Sequence, residues 1–232
     1  MILGFDTATQ ETTVAVVHGG ETLFEAAAGP GPDGRPVAGR ALLPMIDEAV
    51  AAAGGWDRIA TIAVGRGPGS FTGLRIAIST ARAISQARRI PVAGVDSTAA
   101  LAAGLRERAG DGRPVVGIVD ARRGEVFAAA DRGSGAGEPV VCDPADVASA
   151  LGGGLEDALA GGDGAVRFRA EIEAFGCEIL ADEDPANRLS ARQICLLAAK
   201  MEPGGAHFPA GVTPKYMRRP DAERWLERND GT

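Results

Sequence analysis

The stretch from Ile59 to Arg89 constrains the fold of this chain more than any other. An apolar run, Ile59 to Val64, leads into Gly65-Arg-Gly-Pro-Gly-Ser-Phe-Thr-Gly73, and a helical pattern starts near Leu74. Gly65, Gly67, Gly69 and Gly73 can take positive φ or let another backbone come close. Strand, glycine loop and helix N-terminus in that order point to a mixed α/β arrangement and offer a place for an anion. The loop is not a Walker-type phosphate loop, because no Gly-Lys-Ser/Thr follows it, and it does not match the dinucleotide fingerprint. Taken alone it reads as a tight strand-to-helix turn.

Strands and helices alternate along the rest of the chain. Met1 to Phe5 reads as a buried strand ending at Asp6, and Thr12 to Val17 as a β-branched second strand. His18-Gly19-Gly20 turns into a third strand, Glu21 to Ala28, and residues 29–39 form a loop rich in Gly and Pro. Leu42, Met45, Ile46, Ala49, Val50 and Ala53 recur at helical spacing until Gly54-Gly55. A long helix spans about Gly73 to Arg89, then a strand over Pro91 to Val95 and a helix over Thr98 to Arg108. Pro114 to Val119 is a strand ending at Asp120, and Glu125 to Ala130 returns. Pro144 takes the first position of a helix. Ser190 with Gln193 makes a capping box, with Leu189 and Ile194 as its hydrophobic staple. Past Phe208 only Asp221 to Glu227 reads as a short helix.

The chain also repeats itself. Ile2-Leu-Gly-Phe-Asp6 followed by Thr13-Val-Ala-Val16 resembles Val116-Gly-Ile-Val-Asp120 followed by Glu125-Val-Phe-Ala128. This predicts two copies of one mixed α/β unit, residues 1–108 and 109–232, with a cleft between them.

Composition narrows the function. Hydrophobic residues make up 45% of the chain and aromatics 4%, so the core is aliphatic and alanine-rich. A formal charge of −7 argues against a broad nucleic-acid or anionic-membrane surface, while leaving room for a local basic patch. Lys200 and Lys215 are the only lysines, so the positive charge is nearly all arginine. Cys142, Cys177 and Cys195 lie far apart, suit a reducing compartment and lack zinc spacing. No basic segment precedes the first apolar residues, and no apolar run approaches the ~20 residues of a bilayer span. The expected location is the cytoplasm, with no membrane contact.

Asp6 stands where a buried strand meets the polar turn Thr7-Ala-Thr-Gln10. It reads either as a carboxylate holding a metal–nucleotide, with Thr7 and Thr9 near phosphates, or as a cap on the turn's own N–H groups. The candidate cleft residues are therefore Asp6, Thr7, Thr9, Gly67, Gly69 and Asp120. Asp120, Arg122, Arg123 and Glu125 cluster on the second hairpin, as a cleft wall or as surface ion pairs worth about 0–1 kcal/mol. His18 and His207 fall in turn-like sequence without metal or triad spacing, so neither a histidine base nor a zinc site is expected. Leu42, Met45, Ile46, Ala49, Leu74, Ala77, Ile78, Ala81 and Ser85 line apolar faces of the two long first-half helices. Such faces serve either the chain's own core or another subunit.

Ile2-Leu-Gly-Phe-Asp-Thr-Ala-Thr9, Gly65-Arg-Gly-Pro-Gly-Ser-Phe-Thr-Gly-Leu-Arg75, Val92-Ala-Gly-Val-Asp-Ser97, Asp120-Ala-Arg-Arg-Gly-Glu125 and Pro214-Lys-Tyr-Met-Arg218 together resemble the TsaB (YeaZ) family. The likeness runs from Met1 to about Arg219 with the motifs in order. It implies a two-lobed actin/Hsp70/sugar-kinase-like (ribonuclease H-like) α/β fold with duplicated mixed-sheet domains, in keeping with the internal repeat. It implies a non-catalytic scaffold subunit, required for transfer of a threonylcarbamoyl group to the adenosine beside the anticodon of tRNA. The implied partners are a catalytic TsaD-like paralogue, a TsaE-like ATPase and, when alone, a second copy of the chain, with tRNA met indirectly. No cofactor and no metal is implied.

The resemblance also singles out a difference. The catalytic paralogue carries Asn-His-Met-Glu-Gly-His after the strand that follows the glycine loop, and its two histidines bind metal. The matching segment here is Asp96-Ser-Thr-Ala-Ala-Leu101, with Ser97 and Leu101 at the ligand positions. Neither replaces an imidazole. The nine helix-face residues named above become the expected partner interface. Val37-Ala-Gly-Arg40 departs from the family, whose members usually have a His-Ser pair there. The rival reading is a small metal-nucleotide-dependent kinase or ATPase of the same superfamily, built on Asp6 and the two threonines. A peptidase is the weakest reading, for want of a nucleophile or metal set.

Overall fold

The computed structural model describes residues 1–110, 112–201 and 211–218. His207, Phe208, Arg219 and the stretch Asp221 to Glu227 lie outside the described residues. The first half contains β1 (Ile2–Asp6), β2 (Thr12–His18), β3 (Glu21–Ala28), α1 (Ala38–Ala52), β4 (Thr61–Gly65), α2 (Phe71–Arg88) and β5 (Val92–Val95). Next comes α3 (Ser97–Ala109). The second half contains β6 (Val115–Arg122), β7 (Glu125–Asp131), β8 (Val140–Cys142), α4 (Val147–Ala150), β9 (Leu159–Gly161), α5 (Asp163–Arg167), α6 (Arg169–Glu173), β10 (Glu178–Ile179) and α7 (Ala191–Ala199).

The strands form two five-stranded sheets, ordered β3-β2-β1-β4-β5 and β8-β7-β6-β9-β10. In each sheet the first three strands run antiparallel and the last two join in parallel. Element for element, the second sheet repeats the first, so the duplication read from two short strand pairs extends through the whole sheet. Asp6 pairs with Thr13 and Asp120 with Val126, at matching ends of β1 and β6.

Side chains alternate across the strands and sort into separate cores. Leu3, Phe5, Val14 and Val16 pack under α1 and α2, while Ala15 and Val17 face Ala191 and Cys195 of α7. In the second lobe Val116 and Ile118 pack with Val147, Leu155 and Ile172, and Val115 and Val119 meet Leu101 and Leu105 of α3. The helices therefore cross over. α3, which sequence places in the first unit, lies on the second sheet, and α7 returns to the first.

Two glycines make room for this exchange. A Cβ on Gly4 would lie 2.4 Å from Cys195 Sγ and 2.9 Å from the Ala191 carbonyl, and one on Gly117 would lie 2.9 Å from the Thr98 carbonyl. α3 and α7 also meet each other, where Arg192 grips both oxygens of Glu107 at 2.9 and 2.8 Å. Half of the expected capping box forms at α7. Ser190 Oγ accepts from the Gln193 amide at 3.4 Å, but the Gln193 side chain turns to Glu107. Ser190 donates to Glu25 on β3 instead. Among the described residues no helix is long and apolar enough to cross a membrane.

Candidate functional site

The glycine loop closes on the end of β1. A Cβ on Gly65 would sit 1.6 Å from Asp6 Oδ2, one on Gly69 2.5 Å from the Ala8 carbonyl, and one on Gly73 1.8 Å from the Thr7 carbonyl. Only hydrogen fits at these contacts. Hydrogen bonds fix the closure. The Ser70 amide donates to Ala8 O at 2.7 Å, and Thr7 Oγ1 donates to Gly73 O at 2.7 Å. Ser97 Oγ donates to Asp6 Oδ2 at 2.6 Å and accepts from the Gly67 amide at 3.2 Å. The loop's polar groups are thus answered largely by the chain itself.

This arrangement divides the six candidate cleft residues. Asp6 and Thr7, each 1% exposed, lie behind the loop, and Gly67 is buried within it. Asp6 accepts from the Ala8 amide, so it does cap its own turn, and its carboxyl faces Ser97 rather than open space. Thr9, Gly69 and Asp120 do line the space between the lobes.

Burial raises the Asp6 pKa from 3.8 to about 6, against the pull of the hydrogen bonds from Ser97 and Ala8. A carboxyl raised on folding binds its proton more tightly in the folded state, so stability falls as pH rises through the folded pKa. At neutral pH the cost is on the order of 3 kcal/mol, at 1.36 kcal/mol per unit. Asp6→Asn should therefore flatten the part of the stability profile that lies between pH 3.8 and about 6. Melting curves of both proteins across that range check it; parallel profiles would place the carboxyl in water.

The cleft has a volume of about 690 Å³. On its second-lobe wall Asp120 Oδ2 is held by Arg167 at 2.7 Å and by Arg122 at 3.2 Å, while Oδ1 accepts from the Arg122 amide at 2.8 Å. Asp163 Oδ1 caps the Asp120 amide at 3.0 Å, and burial, with the Asp120 charge beside it, pushes the Asp163 pKa up. Sequence reasoning missed Asp163 and Arg167. The signal was available in Gly161-Gly162-Asp163-Gly164, the second-lobe counterpart of the first glycine loop. Gly162 has φ +118, and a Cβ there would lie 2.1 Å from the Ile118 carbonyl.

Residues 211–218 strap the two lobes together. The Val212 carbonyl accepts from Arg82 on α2, and Lys215 Nζ bonds Asp96 at 2.8 Å and Glu138 at 2.5 Å. Met217 packs into the α3 core, and Arg218 donates to the Ala121 carbonyl at 2.6 Å. The strap brings Tyr216 to the cleft mouth beside Phe71.

The expected interface set lies elsewhere. Leu42, Met45, Ile46, Ala49, Leu74, Ala77, Ile78, Ala81 and Ser85 are all buried inside the first lobe, none more than 8% exposed. A helix laid on a sheet and against a second helix turns its whole apolar arc inward. The faces that α1 and α2 offer outward are built from other residues, including Leu43 at 59% exposure and Phe71 at 45%.

A duplicated sheet with crossed helices and a cleft between lobes defines a two-lobed α/β protein of the actin/Hsp70/sugar-kinase class. A family profile described as "TsaD: tRNA N6-adenosine threonylcarbamoyltransferase" matches residues 39–168. The tRNA threonylcarbamoyladenosine biosynthesis protein TsaB of Haemophilus influenzae is 34% identical over 129 residues, 54% of this chain and 51% of that protein. In that alignment the chain spans about half the length of its relative. An uncharacterized protein of Mycobacterium tuberculosis is 33% identical over 230 residues, covering 96% of this chain and 93% of its own length. The solved structure of YeaZ from Pseudomonas aeruginosa superposes with a TM-score of 0.73 at 26% identity, covering 93% of this chain and 98% of that one. The chain belongs to the TsaB/YeaZ family, within the broader TsaD-type fold.

Proposed function

We propose that this chain is a non-catalytic subunit in the transfer of a threonylcarbamoyl group to the adenosine beside the anticodon of tRNA. In this reading it pairs with a TsaD-like catalytic subunit, works with a TsaE-like ATPase, and pairs with a second copy of itself when alone, in the cytoplasm. The name of the Haemophilus relative supports the pathway. The observation that carries the non-catalytic role is the start of α3. Ser97 is fully buried, its hydroxyl tied between Asp6 and Gly67, and Leu101 is packed at 2% exposure in the second core. An alkyl chain offers a metal no lone pair, and a neutral hydroxyl is a poor substitute for imidazole. Metal-assisted chemistry then falls to the partner, and this chain contributes shape and contact surface.

Reconstitution tests the reading. The purified chain should form no threonylcarbamoyladenosine and should retain no stoichiometric transition metal by elemental analysis. Adding a TsaD-like subunit, a TsaE-like ATPase and the threonylcarbamoyl-adenylate donor should start the reaction, and leaving this chain out should stop it. Product formed by the chain alone would overturn the non-catalytic role. Saturable heat on titrating the isolated chain with Mg²⁺ and ATP would favour the kinase or ATPase reading.

A further inference from the structure

Aromatic residues are 4% of this chain, and Tyr216 is its only tyrosine. Yet Phe71 and Tyr216, from segments far apart in sequence, meet at the cleft mouth with ring centroids 5.1 Å apart and planes tilted by 34°. Both stay open to water, at 45% and 46% exposure. Arg75 completes the cluster, its guanidinium 3.9 Å from the Phe71 centroid and its Nε donating to the Tyr216 hydroxyl at 3.3 Å. A core so poor in rings would gain from burying these two, so their exposed pairing needs another account.

Charge at the cleft runs against the chain as a whole. Four arginines line it, Arg75, Arg122, Arg123 and Arg218, against the carboxylates of Asp120 and Asp163, in a chain of net charge −7. Asp120 is already held by Arg167 and Arg122, and Arg218 is paired with Glu125 at 3.2 Å, so Arg75 beside the rings carries most of the case for phosphate. The first turn of α2, at Phe71 and Thr72, opens on the same space and carries no acidic residue, so its amides and helix dipole add to the positive field. The volume falls within the ~300–1,000 Å³ of small-ligand clefts, room for a nucleotide or two but not for a folded domain.

Exposed rings beside planar guanidinium groups match the two faces of an unpaired nucleotide. Rings stack on the base, and arginine forks take the phosphate. An acidic peptide would use the charge and leave the rings idle, and a duplex hides its base faces. We propose that the cleft mouth takes a single-stranded stretch of RNA directly, stacking a base on the Phe71–Tyr216 pair and holding phosphate with the surrounding arginines. The inference rests on the tRNA-modification reading and changes it in one respect: this subunit touches the RNA itself.

Anisotropy of a labelled single-stranded oligoribonucleotide titrated with the full-length chain tests this, against a duplex of the same sequence and poly-glutamate. The single strand should bind best and weaken as salt rises. Phe71→Ala and Tyr216→Ala should each weaken it roughly 5- to 100-fold, the range of one base–aromatic stack. Phe71→Trp should retain binding, and Arg75→Gln should lower the salt slope by about one. Unchanged melting temperatures keep loss of binding distinct from loss of fold. Single-strand binding indifferent to both alanine variants, or poly-glutamate binding as tightly as RNA, would overturn the proposal. A chain that fails to bind RNA yet is required in the reconstituted reaction would sink this inference alone. One that binds RNA through these rings yet is dispensable there would sink the subunit role and keep the inference.

Discussion

Gly73→Ala should leave little folded protein. The added methyl would lie 1.8 Å from the Thr7 carbonyl oxygen and 2.9 Å from its carbon, both backbone atoms of a turn pinned at each end. The Asp6 carboxyl is tied to Ser97 and the Ala8 carbonyl to the Ser70 amide, so the turn cannot retreat without breaking those bonds. The loss should exceed about 4 kcal/mol, a large share of the ~5–15 kcal/mol that holds a domain together. Urea titration and soluble yield measure it. Gly19→Ala is the control, because φ there is +58 but nothing lies within 4 Å; it should cost only ~1–2 kcal/mol. Gly65→Ala sharpens the test. Its clash is chiefly with the Asp6 side chain, so Asp6→Gly in the same chain should recover much of the loss, whereas Gly73→Ala has no side chain to trim. Equal costs at Gly73 and Gly19 would mean that the loop does not lie on the turn.

The same contacts explain what could be read beforehand. Local signals carried the strand that ends in Asp6, the strand through Asp120 (which continues to Arg122), the hairpins after them, the long α2 and the Ser190 cap, because each depends on periodicity or on a cap a few residues away. The repeated order of the sheets followed from the two matching strand pairs. The exchange of α3 and α7 did not, because it is decided by Gly4 and Gly117, whose partners lie up to about 190 residues away in sequence. Short pieces such as β8, β9, β10, α5 and α6 hold two to five residues each, too few to show a period. The division of the cleft was hidden for a related reason. An Asp at a strand end looks alike in sequence whether it faces a nucleotide or a serine, and here Ser97, 91 residues on, takes it.

The largest effect on assembly should come from the outer faces of α1 and α2. Ala77 and Ala81, read from sequence as contact positions for a partner, are fully buried. An arginine at either would force a charge and a long side chain into a close-packed core, and the lobe should unfold with or without a partner. Leu43 stands 59% exposed on α1, and on α2 Ile76, Thr80, Ala83 and Ala87 form a stripe of half-buried and exposed small or apolar residues at helical spacing. Two helices presenting such a surface side by side suit a matching pair from another subunit, with backbones brought close by alanine. Leu43→Arg with Ala83→Arg should keep the melting temperature of the chain and abolish co-purification with a TsaD-like subunit. If both sites are central, each should cost about 2 kcal/mol or more of binding, so the pair should weaken it roughly a thousandfold. Affinity capture from co-expressing cells, with melting curves of the free chain, separates the cases. Retained pairing in the double variant would move the partner off these helices. Pairing lost together with the fold would mean that Leu43 and Ala83 belong to the core, against their exposure.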